Sequence, residues 1–273
     1  MNRPVSQHTF RNLFRACPAP VRTALEKWSR GRIVRRRMGP EFGGRVFYAS
    51  PEAALFWAYP WASAGIDKEL MSFCREFVQP GSVVWDFGGH LGIFAFSAAH
   101  RAGAEGAVLS VEPDPFLSRL MIRSEAERPS GVAPCTVLTC AVARAPGFAT
   151  LEIPERSRAA NALSGKSEST QRGGIRERFD VPVVTVAQLA SRYPAPHVVK
   201  MDIEGSELDA LVGGEEVFRA CRPAMLLEVY DHIRLETTQL LRKWGYRLYD
   251  AGQVAQHRAE VDVARHNTLA LPA

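Results

Sequence analysis

The chain has 273 residues, 46% hydrophobic and 23% charged, with a formal net charge of +5, a composition that argues against a disordered or low-complexity protein and allows one large domain with an extension. Five scattered cysteines (Cys17, Cys74, Cys135, Cys140 and Cys221) without a C-x-x-C pair argue against a disulfide framework and a cysteine zinc site. No apolar run approaches the roughly 18–20 residues that span a bilayer and no secretory leader is read, so a cytoplasmic protein is expected.

Residues 1–60 are rich in Pro, Arg and aromatics and are expected to form an extension, with helical patterns around 20–36 and 52–57. Arg30, Arg32, Arg35, Arg36 and Arg37 account for the net charge. They form either a solvated basic face or a peripheral contact with an anionic membrane surface. No aromatic-and-basic recognition motif accompanies them, so no nucleic-acid partner is expected. The main domain is expected over 61–273. Leu70, Met71, Phe73, Cys74, Phe77 and Val78 recur at helical spacing over 67–78, and Pro80-Gly81 stops that helix.

From there strands and helices alternate. Strands are expected over 82–86, 107–111, 136–141, 148–153, 197–203, 224–230, 246–249 and 268–271, and helices over 91–102, 115–126, 206–211 and 233–244. That order predicts an α/β fold with a doubly wound, mostly parallel sheet covered on both faces, ending in an antiparallel hairpin. Residues 154–180 turn polar and are expected as a long loop, either a mobile lid over a substrate or a disordered segment.

The first parallel strand runs into Asp86-Phe87-Gly88-Gly89-His90-Leu91-Gly92. In a doubly wound sheet ligands bind beyond such a strand end. Gly88, Gly89 and Gly92 let the backbone turn tightly and approach a bound molecule. The helix N-terminus that follows can receive an anionic group. The spacing differs from the G-x-G-x-x-G of dinucleotide folds, and Asp86 suits the cationic amino-acid end of S-adenosylmethionine. Glu112, after the second strand, is placed to accept hydrogen bonds from ribose hydroxyls, and Ala141 to border the adenine. His90 either packs over the cofactor or caps the helix.

The segment Lys200-Met201-Asp202-Ile203-Glu204-Gly205-Ser206-Glu207 supplies a second motif. With the Asp86–Gly92 turn and the Glu112-Pro113 pair, all in this order, the chain resembles the FkbM-type family of methyltransferases from about residue 67 onward, and residues 223–228 resemble the family's following strand. The resemblance implies a class I methyltransferase fold with a Rossmann-like sheet. It also implies S-adenosylmethionine as cofactor and methyl transfer to a hydroxyl of a sugar, glycoconjugate or secondary metabolite. Two departures stand out: Phe116-Leu117-Ser118-Arg119 where the family has asparagines, and Ala187-Gln188-Leu189 where it has Leu-Asp.

A hydroxyl acceptor benefits from a base near the reacting oxygen. Asp202 and Glu204 at the strand-end rim are expected to face the transferred methyl, with His232 as a possible base. Strand alternation puts Lys200 on the side of Asp202, and Lys200 and Glu228 are expected on the substrate side. Asp202, Glu204 and Glu228 form an oxygen set that could take magnesium, although no metal is favoured. A nicotinamide-dependent oxidoreductase and a non-catalytic binding protein that keeps the fold are the competing readings.

Overall fold

The computed structural model describes residues 19–58, 68–166 and 173–273. Residues 1–18 of the expected extension, Asp67, and residues 59–60 and 167–172 lie outside the described residues, as does Cys17. Helix α1 (Ala19–Ser29) is followed by strands β1 (Val34–Arg37) and β2 (Val46–Ala49) and by a 3-10 turn at Leu55–Ala58. The helix expected over 20–36 stops at Ser29. Gly31 takes a left-handed φ of 66° that ends the helix, and the arginines after it pair antiparallel with β2. The helix expected over 52–57 is likewise only that short 3-10 turn.

Residues 42–57, expected as part of the extension, feed the core. Phe42, Phe47 and Trp57 are buried, and Phe47 meets Phe96 edge-on at 5.1 Å. Arg45 is also fully buried; its guanidinium lies 4.3 Å from the Phe96 ring centre and donates to Glu125 at 2.7 Å. Such a cation is tolerated in the interior because it is both paired and stacked.

Then come α2 (Lys68–Phe77), β3 (Val83–Phe87), α3 (Ile93–Ala102), β4 (Ala107–Val111), α4 (Pro115–Ala126) and β5 (Cys135–Leu138). A small sheet follows from β6 (Ala141–Val142), β7 (Gly147–Pro154), β8 (Ala162–Leu163) and β9 (Ile175–Val184). The chain returns through α5 (Val186–Ala190), β10 (Val198–Met201), α6 (Glu207–Gly213), α7 (Glu215–Cys221), β11 (Ala224–Glu228), α8 (Arg234–Lys243), β12 (Tyr246–Asp250) and β13 (Asn267–Pro272). The main sheet has the order β12-β13-β11-β10-β3-β4-β5, and only β13 is antiparallel to its neighbours. This is the doubly wound arrangement that the resemblance implies, with the strand order reversing between β3 and β10.

Alternation along the central strands sorts side chains to two faces. Val84, Val108 and Val198 join one buried cluster with α3, α4 and the aromatics of the N-terminal segment. Trp85, Phe87, Leu109, Val199 and Met201 join another, which also takes in buried residues of α5, α6, α7 and α8. Register places Ser110, Asp86 and Lys200 side by side across β4, β3 and β10. A polar row thus crosses the sheet on the first face, just below the strand ends.

The loop expected over 154–180 is interrupted by β8 and by the first residues of β9, which pairs with β7 along its length. Arg176, Glu177, Arg178 and Asp180 make β9 polar. Only one side of that ribbon is buried, against Leu151, Ile153, Leu163 and Val181, so it lacks the continuous apolar run of a central strand. Among the described residues no helix is long and apolar enough to cross a membrane.

Candidate functional site

A cavity of about 270 Å³ opens at the C-terminal ends of β3, β4 and β10, where the strand order reverses. Gly88, Gly89, His90, Glu112, Ala141, Lys200, Asp202 and Glu204 all line it. Its apolar wall includes Leu117, Val142, Leu151 and Leu163. The turn after β3 brings the backbone close to β10: Gly88 has φ 84°, and a Cβ there would stand 1.8 Å from the carbonyl oxygen of Asp202. His90 follows with φ 52°, a conformation that few non-glycine residues adopt.

Glu112 anchors this turn. Its carboxylate accepts from the main-chain N–H of His90 at 2.7 Å and from that of Asp114 at 2.9 Å. Burial pushes its pKa up to about 8, the two N–H donors opposing only part of that shift. The His90 imidazole is driven down to about 4 by burial and by the nearby Lys200 ammonium. Its Nε2 is buried without a hydrogen-bond partner among the described residues. The pocket thus holds a neutral imidazole with an unfilled polar atom beside a buried carboxylate.

Asp86 and Gly92 do not line the cavity. Asp86 lies fully buried behind the turn, where it accepts from Ser110 at 3.1 Å and stands 3.4 Å from the Lys200 Nζ. Burial raises its pKa, with Lys200 and Ser110 acting against that rise. Lys200 donates to the Gly88 carbonyl at 2.7 Å and lies 3.5 Å from Asp202. Burial works against its charge, but Asp202, Asp86 and Glu228 outweigh that effect and hold it protonated. One ammonium therefore fastens the Gly88–Gly92 turn to two carboxylates.

The Asp202–Ser206 turn is strained at Glu204 (φ 53°), with Gly205 at φ 96°. The buried Glu207 carboxylate holds it by accepting from the N–H of Ile203 at 2.8 Å and of Gly205 at 3.0 Å. Tyr230 donates to Glu204 at 2.6 Å. Beyond the last register pair of β10 and β11, Asp202 faces Glu228. Burial would raise Asp202, yet Lys200 and a hydrogen bond with Glu228 bring it below the usual range. Glu228 is raised by burial and by that same hydrogen bond, so the pair shares a proton.

Asp202, Glu204 and Glu228 can bring carboxylate oxygens within 4.8 Å of one another. Glu228 lies in a neighbouring chamber rather than in the first cavity. His232 is exposed and does not line either one. It sits over Gly205, where a Cβ would be 3.6 Å from its ring.

Sequence reasoning did not anticipate Arg158 and Asn161, which border the cavity from the segment read as a loop. Arg158 is buried and donates to Asp114 at 2.7 Å and Glu52 at 2.8 Å, while Asn161 donates to Asp114 at 2.6 Å. Asp114 in turn caps α4 by accepting from Phe116 at 2.9 Å. A lone arginine in a polar stretch carries no periodic signal, so only long-range pairing reveals it.

Among curated proteins, no significant match to the chain was found. Solved structures with a similar course include a methyltransferase FkbM from Methylobacillus flagellatus KT (14% identity, TM-score 0.46), covering 92% of this chain. The match spans 58% of that longer protein. Fibrillarin from Aeropyrum pernix, with S-adenosyl-L-methionine natively bound, matches with 13% identity and TM-score 0.45, over 89% of this chain and 83% of its own. The magnesium protoporphyrin IX methyltransferase of Synechocystis PCC 6803, with bound SAM, matches over 100% of both chains with 11% identity and TM-score 0.44. These likenesses are too distant to carry the assignment, which rests on a domain match. The methyltransferase FkbM domain matches residues 86–248, more than half of the chain, and the protein belongs to that methyltransferase family.

Proposed function

We propose that the chain transfers the methyl group of S-adenosylmethionine to a hydroxyl oxygen of a small-molecule or glycoconjugate acceptor, such as a sugar or secondary metabolite. The observation that carries this reading is the continuity of one cavity from the buried Glu112 and His90 to the Asp202–Glu204 rim. Its chemistry fits the cofactor. Glu112 offers carboxyl oxygens to ribose hydroxyls, the Gly88-Gly89 turn leaves backbone room, and Ala141, Val142, Leu151 and Leu163 give an apolar wall for a flat base.

When bound, S-adenosylmethionine supplies an activated sulfonium methyl. The protein's task is then to orient the acceptor and to hold negative charge near the sulfonium. Asp202, kept ionised by Lys200, is the group for the second task. In this reading Asp86 acts from behind, setting the position of Lys200 and the turn. Metal is not part of the reading, because the Lys200 ammonium at 3.5 Å from Asp202 supplies positive charge to the acidic rim.

Titration calorimetry with S-adenosylmethionine and S-adenosylhomocysteine tests the proposal. Glu112→Ala is expected to weaken both by about 10-fold, the worth of one or two hydrogen bonds to the ribose. Unchanged affinity in Glu112→Ala, or binding of a nicotinamide dinucleotide in place of the methyl donor, would overturn it.

A further inference from the structure

The acceptor side of the site rests on the methyl-transfer reading above and extends it. Beside the first cavity lies a second chamber of about 320 Å³, and Leu70, Lys200 and Asp202 form their common wall. Its remaining polar lining is Glu69, Glu228, His266 and Asn267.

Sheet register causes this convergence. Strand β13 enters antiparallel between β11 and β12 and sets Asn267 opposite Glu228. His266, the residue before β13, is thereby carried to the tip of β11. Its Nε2 lies 2.8 Å from Oε1 of Glu228, and its main-chain carbonyl accepts from the N–H of Val229. The Tyr230 ring stands edge-on to the imidazole, with centres 5.6 Å apart. Across the chamber Asn267 donates to Glu69 of α2 at 2.8 Å. The imidazole is therefore held by Glu228 and the Tyr230 ring, on a main chain fixed to β11, yet 56% of the side chain stays exposed and can be reached.

Three carboxyl groups, Glu69, Asp202 and Glu228, face one ammonium in this chamber, and with one proton shared between the last two they still carry more negative charge than Lys200 offsets. An anionic acceptor would be repelled, whereas hydroxyl groups can donate to those oxygens. With Nε2–H given to Glu228, Nδ1 of His266 remains the basic atom.

We propose that this chamber receives a neutral polyhydroxylated acceptor and that His266, held by Glu228, takes the proton of the hydroxyl that is methylated. The acceptor oxygen forms its bond to the methyl carbon while the carbon–sulfur bond breaks and its electron pair stays on sulfur. The hydroxyl proton passes to Nδ1, and the products are a methyl ether, S-adenosylhomocysteine and an imidazolium that later releases its proton to solvent. Glu228 is a positioning residue: it orients the ring and shares its own proton with Asp202.

The test uses the full chain loaded with S-adenosylhomocysteine, after calorimetry has established that the nucleoside binds. Methyl hexopyranosides are added while the imidazole resonances are followed by NMR. One imidazole, assigned through its loss in His266→Gln, is expected to shift saturably. With S-adenosylmethionine, transfer to the same glycosides is expected to lose about 100-fold or more in kcat in His266→Gln, with KM within a few-fold. Added imidazole is expected to restore part of the rate in His266→Ala, and Glu228→Gln to give an intermediate loss. Retained nucleoside binding with an unmoved His266 resonance and no transfer to any neutral glycoside would overturn the inference. So would preferred transfer to a glucuronide or to the amine of a glucosaminide, or an unchanged kcat in His266→Gln. Failure to bind the nucleoside would instead reject the methyl-transfer reading on which it stands.

Discussion

The Gly88 α-carbon and the Asp202 carbonyl are packed so closely that a side chain at Gly88 would bring a carbon to 1.8 Å from that oxygen. The contact joins the two motifs of the chain, since Gly88 belongs to the turn after β3 and Asp202 to the rim after β10. It follows from register: Phe87 and Met201 are the last paired residues of the two strands, the Asp202 N–H still donates to the Phe87 carbonyl, and Gly88 and Asp202 come next.

Gly88→Ala is therefore expected to cost more than its backbone conformation alone. A left-handed φ costs an ordinary residue about 1–2 kcal/mol, and forcing apart packed backbone adds roughly 1–3 kcal/mol. The thermal midpoint should fall by at least about 4 °C, taking roughly 2–4 °C per kcal/mol for a chain of this size. Gly131→Ala is the control, because Gly131 has φ 74° with no atom near its Cβ position. It should show only the first cost, and equal losses in the two variants would mean that the contact with Asp202 yields freely.

Glu112 makes the stability of the ligand-free protein depend on pH. Its folded pKa, about 8, lies above the ordinary 4.5, so the folded state holds the proton more tightly than the unfolded chain. Stability from this group is complete below about pH 4.5 and is lost as pH rises through 8. Glu207, also pushed up to about 8 by burial, acts in the same window. Urea midpoints are expected to fall between pH 5.5 and pH 8.5 in the wild type and to fall less in Glu112→Gln, with Glu207, Glu228 and Asp86, all raised by burial, supplying the remainder. An unchanged slope in that variant would mean that Glu112 ionises in the folded protein as an ordinary carboxylate does.

The Lys200 ammonium is expected to support the fold itself. Lys200→Met leaves Asp86 fully buried with Ser110 as its one side-chain donor among the described residues, and breaking a buried pair in this way costs about 3–5 kcal/mol. Asp86→Asn in the same chain removes the orphaned charge, so the double variant should recover part of the loss. A coupling energy near zero in the four-variant cycle, read by urea unfolding, would separate the two residues energetically.

How much of this was legible in the sequence depends on the kind of strand. Strands β3, β4 and β10, buried on both faces, read as apolar runs, and the glycine turn and acidic motifs at their ends mark the cavity residues Gly88, Gly89, Glu112, Asp202 and Glu204. Strand β1, Val34-Arg35-Arg36-Arg37, was hidden because arginines occupy both of its sides, and it exists through pairing with β2 and contacts of that hairpin with α4. Strand β9 was hidden by its polar, solvent-facing side. His266 gave no signal because its neighbour Glu228 lies far away in sequence, and only the insertion of β13 beside β11 unites them.

Arg158 offers the last test, because it ties three distant segments together at the cavity wall. Its guanidinium donates to Glu52 near the 3-10 turn at Leu55–Ala58, to Asp114 at the start of α4, and to Glu177 of β9 at 3.5 Å, and it lies over the Phe116 ring at 4.8 Å. Arg176 also reaches Glu52, so the acidic side of the network keeps one cation when Arg158 is removed. Arg158→Met is close in length and retains packing against Phe116, which isolates the loss of charge and donors. It leaves the buried Asp114 with Asn161 and Phe116 as its donors, and a cost of about 3 kcal/mol is expected from the partly compensated carboxylates. Because Asp114 also supplies the main-chain N–H that holds Glu112, affinity for S-adenosylhomocysteine should fall as well. Arg158→Lys, which keeps the charge but not the fork that reaches several carboxylates, should recover stability more than affinity. If the methionine variant binds the nucleoside as the wild type does, the wall supplied by Arg158 does not bear on the cofactor cavity.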